Sequence, residues 1–549
     1  MGFKMEAIIL VAIAVAAALI AITIFNSIAN TNKKKKLLSM FGSVPDARYK
    51  DEDIPKYWEE LQSKRPDKRY IDGITWNDLD MDDVFDRINC CQSSVGQERL
   101  YAQLHMPTDA DTLLGREKLY DSLKNEELRV KTQLLLKNLG KKRGNGLWLL
   151  MFYPEAYSLE HSWRFKIQAV LPILGIICMF FNTQVGLLLT AAFLLANVAT
   201  YFIVKKRTDN YIETISYFLK TLSCAAKLKK LLAKDCPELS LNLGKSIDDF
   251  KKLNFDSFIL MSSPSSDADM FVSAIGMITL VPIIQYCAAV KYLKGSGDKA
   301  ERLFSLVGEI DSAVSVLSFR KSLPAYCRPE FTDTLKISAV DIFHPLIAMP
   351  IKNNAEIGAN ILLTGSNASG KSTYIKAIAI NAILAQTINT CCADKFALKS
   401  ATVISSMAVA DSIVGGESYF VAEIKSMRRI ISAADSGVQC YCFIDEILKG
   451  TNTIERISAS ASVLKHLSEK DVRCIAATHD IELTQLLEKE YLNMHFSEQV
   501  TDSGVSFDYK LKQGPATTRN AIRLLSFYDY PKDVTELAQH FVNTLEERQ

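Results

Sequence analysis

The chain carries almost no excess charge of either sign. Its 549 residues set 64 Lys and Arg against 62 Asp and Glu, a net charge of +2, which excludes a molecule whose whole surface is a polycationic nucleic-acid footprint. Short basic clusters exist at Lys33 to Lys36, Lys141-Lys142-Arg143 and Lys227 to Lys230, and the last two read as solvated helix faces. None of the twelve cysteines has zinc-ligand spacing, so the pairs Cys90-Cys91, Cys391-Cys392 and Cys440/Cys442 are expected to be reduced thiols in packing positions. There is no clear internal repeat or low-complexity tract, and the length leaves room for several domains.

Charge is also missing locally, over long runs. Ala7 to Phe25 is nineteen residues without a charge, close to the roughly 20 needed to cross a bilayer core, and Asn32-Lys33-Lys34-Lys35-Lys36 follows it closely. The expectation is an N-terminal transmembrane anchor over residues 1–31, with the N-terminus outside and the lysines in the cytoplasm. Ile167 to Val204 is a second apolar run, broken only by Asn182-Thr183-Gln184. Arg164 and Lys166 precede it and Lys205-Lys206-Arg207 follow, so residues 167–204 are expected to form a transmembrane hairpin with both ends in the cytoplasm. The mean hydropathy of +0.07 agrees with three spans. Phe271 to Val290 is also charge-free, but one further crossing would put the C-terminal half outside, so it reads as a buried or membrane-apposed helix.

That C-terminal half contains Gly365-Ser366-Asn367-Ala368-Ser369-Gly370-Lys371-Ser372, which satisfies G-x-x-x-x-G-K-[ST] at every fixed position. Glycines let successive backbone N–H groups turn toward a phosphate, Lys371 can reach the β and γ oxygens, and Ser372 can offer its hydroxyl to Mg²⁺. The flanks predict a strand over Ala359 to Thr364 and a helix over Tyr374 to Gln386. Cys440 to Glu446 reads as an apolar strand ending in two carboxylates, with Asp445 toward Mg²⁺ and Glu446 toward the attacking water. A further apolar strand, Arg473 to Ala477, ends just before His479, a candidate γ-phosphate sensor.

Thr364 to Ile380 resembles the P-loop of the MutS mismatch-repair ATPases, whose loop reads T-G-x-N-x-x-G-K-S-T; Asn367 is its distinctive residue and Thr373 its last. Asp411 to Glu423 resembles that family's signature segment, and FIDEILKGTNTIER (Phe443 to Arg456) and the stretch around Thr478 to Leu486 resemble its Walker B and switch-histidine segments. The resemblance covers about Ile337 to Leu545 and includes Pro531-Lys532-Asp533-Val534, similar to the start of a final helix. It implies a C-terminal α/β P-loop ATPase domain (337–549) of ABC/MutS type that binds and hydrolyses ATP with Mg²⁺ as a homodimer. Ser418 of one subunit would then complete its partner's site, and His495 would stack on adenine, with the aromatic segment Phe343-His344 as the competing candidate. Tyr419 departs from the small hydroxyl residue usual in the signature, and Asn452 from the usual Ser or Thr.

More weakly, residues 37–165 resemble the helical MutS core and 208–335 its returning lever. The expected fold class is therefore a mostly α-helical lever and core region, interrupted by transmembrane helices, ahead of the ATPase. The mismatch readers of the family wedge a Phe-x-Glu motif into DNA from an N-terminal domain. Here the only Phe-x-Glu is Phe496-Ser497-Glu498, inside the ATPase, which makes direct mismatch recognition doubtful. Two functions follow: a membrane-tethered ATPase coupled to DNA, or a membrane mechanochemical ATPase acting on a protein partner.

Overall fold

The computed structural model describes residues 31–45, 52–253, 274–366, 369–407, 419–448, 451–501, 504–516 and 530–546. The expected anchor over Ala7 to Phe25 lies outside the described residues. The chain divides into two compact units: residues 1–66, 88–102 and 118–321 form one, and residues 67–87, 103–117 and 322–549 the other.

The first unit is helical. Trp163–Met179 (α1) and Thr183–Leu232 (α2) form a helical hairpin, and Asn182 caps α2 by accepting from the Gln184 and Val185 N–H groups at 3.1 and 3.2 Å. Small residues let the two helices approach. A Cβ on Gly175 would stand 2.5 Å from Thr190 Oγ1, and one on Gly186 would stand 2.3 Å from the Met179 N. The outer faces are apolar and uncovered: Ile173, Leu174, Leu187, Leu188 and Leu195 are exposed, and Phe180 and Phe181 at the tip are 85% and 88% exposed.

The second arm does not end at Val204, as the apolar run implied, but continues to Leu232. Beyond Lys205-Lys206-Arg207 its pattern becomes amphipathic, and Ile212, Ile215, Phe218, Leu222 and Leu228 bury one stripe in the unit. Among the described residues, α2 is the one helix long and apolar enough to cross a membrane; α1, at 17 residues, is shorter than that measure requires.

Val281–Leu293 (α3) and Gly297–Ser322 (α4) complete this unit's C-terminal part. α4 is buried along most of its length, and Asp311 at its centre accepts from Gln92 N, Ser93 N and Ser93 Oγ at 3.0, 2.8 and 2.6 Å. This carboxylate thus satisfies the two N–H groups just ahead of the helix Ser94–His105 and stands near its positive end. Burial raises its pKa, and these bonds pull it back down.

The second unit contains two sheets. One has the order β1(Glu330–Phe331), β5(Lys395–Leu398), β2(Ile337–Ile342), β3(Asn353–Ile357). The other runs β10(Gly504–Gln513), β9(Leu492–Thr501), β4(Ile361–Thr364), β8(Val472–Ala477), β7(Cys440–Asp445), β6(Thr402–Ser406). From β9 to β6 all neighbours are parallel, and β4 is buried at every residue, as an apolar run inside a sheet covered on both faces must be. Lys371–Ile388 (α5) and Tyr419–Asp435 (α6) pack on this sheet.

Residues 67–87 and 103–117, expected within the 37–165 region, belong to this unit. Their long-range bonds explain it. Asp78 Oδ2 accepts from Ser405 Oγ at 2.7 Å and from Met407 N at 3.0 Å at the end of β6, Arg429 of α6 bonds Asp72, and the Trp76 ring stacks on His105 at 3.5 Å.

Candidate functional site

The strand order β4-β8-β7 brings three loops together at the carboxyl ends of parallel strands, where open α/β sheets bind ligands. The first is the P-loop between β4 and α5. Gly365 (φ +144°) and Gly370 (φ +106°) hold backbone conformations that side chains rarely adopt, and a Cβ on Gly365 would stand 2.8 Å from Phe496 O. Lys371 is 5% exposed and its Nζ donates to Gly365 O at 2.6 Å and Ser366 O at 2.8 Å, which folds the loop around the ammonium. Ser372 and Thr373 are exposed in the first turn of α5. Asn367 lies outside the described residues, as does Ser418.

The second loop follows β7. Asp445 is the last residue of that strand, level with Ala477 of β8, and Glu446 takes φ +62°, anchored by its N–H to Ala477 O at 3.0 Å. A non-glycine residue in that region is uncommon, and here the turn aims the Glu446 side chain into the cavity at the P-loop. The third loop follows β8. His479 Nε2 lies 2.9 Å from Glu446 Oε1, so the two residues singled out at separate strand ends form one pair. Behind it, Arg456 holds Asp480 through Nε at 3.0 Å and Nη2 at 2.5 Å, a two-point bond between the helix after β7 and the loop after β8. Asn452 accepts from Glu455 N at 2.9 Å and caps that helix, a role in which Asn equals the Ser or Thr it replaces.

A cavity of about 450 Å³ opens between these loops and an apolar wall. Ser366, Gly370, Lys371, Ser372, Thr373 and Glu446 line the polar side, and Phe343, His344, Ile351, Phe496 and Tyr509 the other. His495 is not among its lining residues. It pairs with Thr364 in the ladder, its Nδ1 lies 2.9 Å from Gly514 O, and strand alternation gives the cavity to its neighbour Phe496. Phe343 and His344, the competing candidates for the base, do line it. Neither Phe496 nor Tyr509 was read as a site residue from the sequence: alternation along β9 turns Phe496 toward the cavity, and Tyr509 lies at an irregularity of β10 with φ +51°, neither of which a motif records. Asp445 and His479 stand beside the cavity and do not line it.

His344 is buried, and desolvation together with the nearby Lys376 charge holds its pKa down at about 4, so it is neutral at pH 7. An unfolded histidine titrates near 6.5, so the unfolded chain binds the extra proton first as pH falls. His344 thus withdraws stability between about pH 6.5 and 4, by up to about 3 kcal/mol. Chemical denaturation of His344→Phe across pH 4 to 7 is expected to show a shallower acid limb than the parent, and an unchanged slope would remove His344 as its source.

The site suits a phosphate chain with its metal. Ser369 Oγ is buried in the loop with no hydrogen-bond partner among the described residues, and an eighteen-residue helix begins at the cavity, its N–H groups favouring an anion. Ser372 and Asp445 offer the hard oxygen donors that Mg²⁺ takes.

Strand, glycine loop, helix and paired carboxylates define a P-loop nucleotide-binding domain of mixed α/β architecture. The family model of MutS domain V matches residues 361–546. MutS protein homolog 4 of Mus musculus is 32% identical over 255 residues, 43% of this chain and 26% of that protein, and its Homo sapiens counterpart is 32% identical over 254 residues, 43% and 27%. The DNA mismatch repair protein MutS of Thermus thermophilus is 26% identical over 228 residues, 41% of this chain and 28% of that protein. Residues 361–546 therefore carry a MutS domain V, and the chain matches little more than a quarter of the length of these relatives.

Proposed function

We propose that this chain is a membrane-anchored MutS-type ATPase that hydrolyses ATP in composite sites made by two copies and couples closure of that dimer to DNA. The carrying observation is the 2.9 Å pair of Glu446 and His479 at the mouth of the P-loop cavity. Glu446 orients the attacking water and accepts its proton, and His479 fixes that carboxylate. Lys371 and the α5 N-terminus stabilise charge on the transferred phosphoryl, and Phe343 and His344 provide the apolar end for the base. Ser372 and Asp445 would hold Mg²⁺, which would supply Lewis-acid neutralisation of the phosphate oxygens.

The membrane part of the reading is supported by the hairpin. Thirty-eight nearly charge-free residues with exposed apolar outer faces are bounded by Arg164, Lys166 and Lys205-Lys206-Arg207. At about 1.5 Å per residue α1 reaches about 26 Å, and Phe180-Phe181 extends it to the far side of a core of about 30 Å. Both ends of the hairpin, and the ATPase, then lie in the cytoplasm. With the N-terminal anchor there are three spans and an N-terminus outside.

Binding of the full chain in detergent to duplex, mismatched and branched DNA with ATP tests the DNA coupling. The expected result is affinity that falls steeply with salt, by roughly a thousandfold or more between 50 and 200 mM for six or more phosphate contacts. No affinity at low salt would leave the second reading, an ATPase that works on a protein partner.

A further inference from the structure

We propose that residues 274–293 are a further membrane-embedded element, a broken helix that dips into the acyl chains beside the hairpin and returns to the face it entered. This rests on the membrane reading of the hairpin. Helical residues 274–279 and α3 are separated at Leu280, which is fully buried and takes φ +53°. The Pro282 ring Cγ lies 2.9 Å from where a Cβ on Gly276 would stand. Six residues of straight helix would separate those positions by about 9 Å, so the chain turns sharply there.

The break frees a carbonyl, and the hairpin supplies its donor. Pro282 has no N–H to give to Ile278 O four residues back. Asn197 of α2, fully buried, donates its Nδ2 to that oxygen at 2.7 Å. Irregular backbone at membrane depth persists only where protein satisfies it in this way. Leu280 and Ile283 pack with Tyr201 and Val204 of α2 and with Phe165 and Ala169 of α1, which fixes the break against the cytoplasmic half of the hairpin.

The occupant of the outer face follows from its chemistry. Phe271 to Val290 carries no Asp, Glu, Lys or Arg, and Ile275, Ile278 and Val281 are exposed beside the equally exposed hairpin. Such a face matches hydrocarbon and offers no ion pair to a soluble partner. The thirteen residues of α3 reach only about 20 Å, too short to cross, so the element returns to its own side and leaves the ATPase in the cytoplasm.

The full chain can be tested in vesicles of phosphatidylcholine and phosphatidylglycerol containing a phospholipid with a diazirine at the acyl terminus, with carbene adducts mapped by peptide mass spectrometry. Adducts are expected on 167–204 and on Ile275, Ile278 and Val281. Adducts on the hairpin alone would overturn this inference and leave the hairpin reading standing, whereas no adducts on either would overturn both. In Asn197→Leu the freed carbonyl must seek water, and adduct yield on 274–290 is expected to fall several-fold with the hairpin yield unchanged. An undiminished yield would remove Asn197 from this role.

Discussion

Glu446→Gln is expected to cut ATP turnover by roughly 10²- to 10⁴-fold while ATP still binds, so that the variant accumulates as an ATP-loaded dimer. The substitution keeps the shape and one hydrogen-bond acceptor toward His479 but removes the group able to take a proton from water. Nothing in the phosphate cradle changes, because Lys371 is held by Gly365 O and Ser366 O and the glycine conformations belong to the loop itself. The measurements are steady-state phosphate release and molecular mass by light scattering with and without ATP. Turnover at the parent rate would remove Glu446 as the water-activating residue. A loss of ATP binding of similar size would mean that the carboxylate holds the nucleotide instead.

How much of this could be read from the sequence depends on whether each property is local. The P-loop strand and helix were legible because apolar runs flank a glycine motif, and the expected strand at 359–364 and helix at 374–386 correspond to β4 and α5. The Walker B and histidine strands were legible for the same reason. That Glu446 and His479 meet was not, since it depends on β7 and β8 being neighbours and on a turn with φ +62°. For His495 the guide was the family resemblance, which says nothing of which face of β9 borders the cavity; strand alternation puts Phe496 there. The assignment of 67–87 to the ATPase unit was likewise invisible, because bonds such as Asp78 to Ser405 span 327 positions. The hairpin was read from its missing charges, but its second arm runs past the last apolar residue because helix continues wherever an amphipathic stripe finds a core.

Sharing of the ATP site between two copies gives the second large effect. Lys371→Ala is expected to lower turnover by roughly 10²- to 10³-fold, since it removes the buried ammonium that faces the phosphates and, with it, the bonds that shape the loop. Ser418→Ala is expected to be similarly impaired if that serine acts in the partner's site. Each variant alone forms dimers with two defective sites. In a mixed dimer one site combines both lesions, and the other has Lys371 from one chain and Ser418 from its partner. Random exchange makes about half of the dimers mixed, so an equal mixture should recover about a quarter of the parent's intact sites, against almost none for either variant alone. Recovery must also fade when one variant is in excess, because mixed dimers then become rare. An equal mixture no more active than its separate components, with exchange verified by labelled chains, would rule out the shared site and leave each P-loop to work within its own subunit.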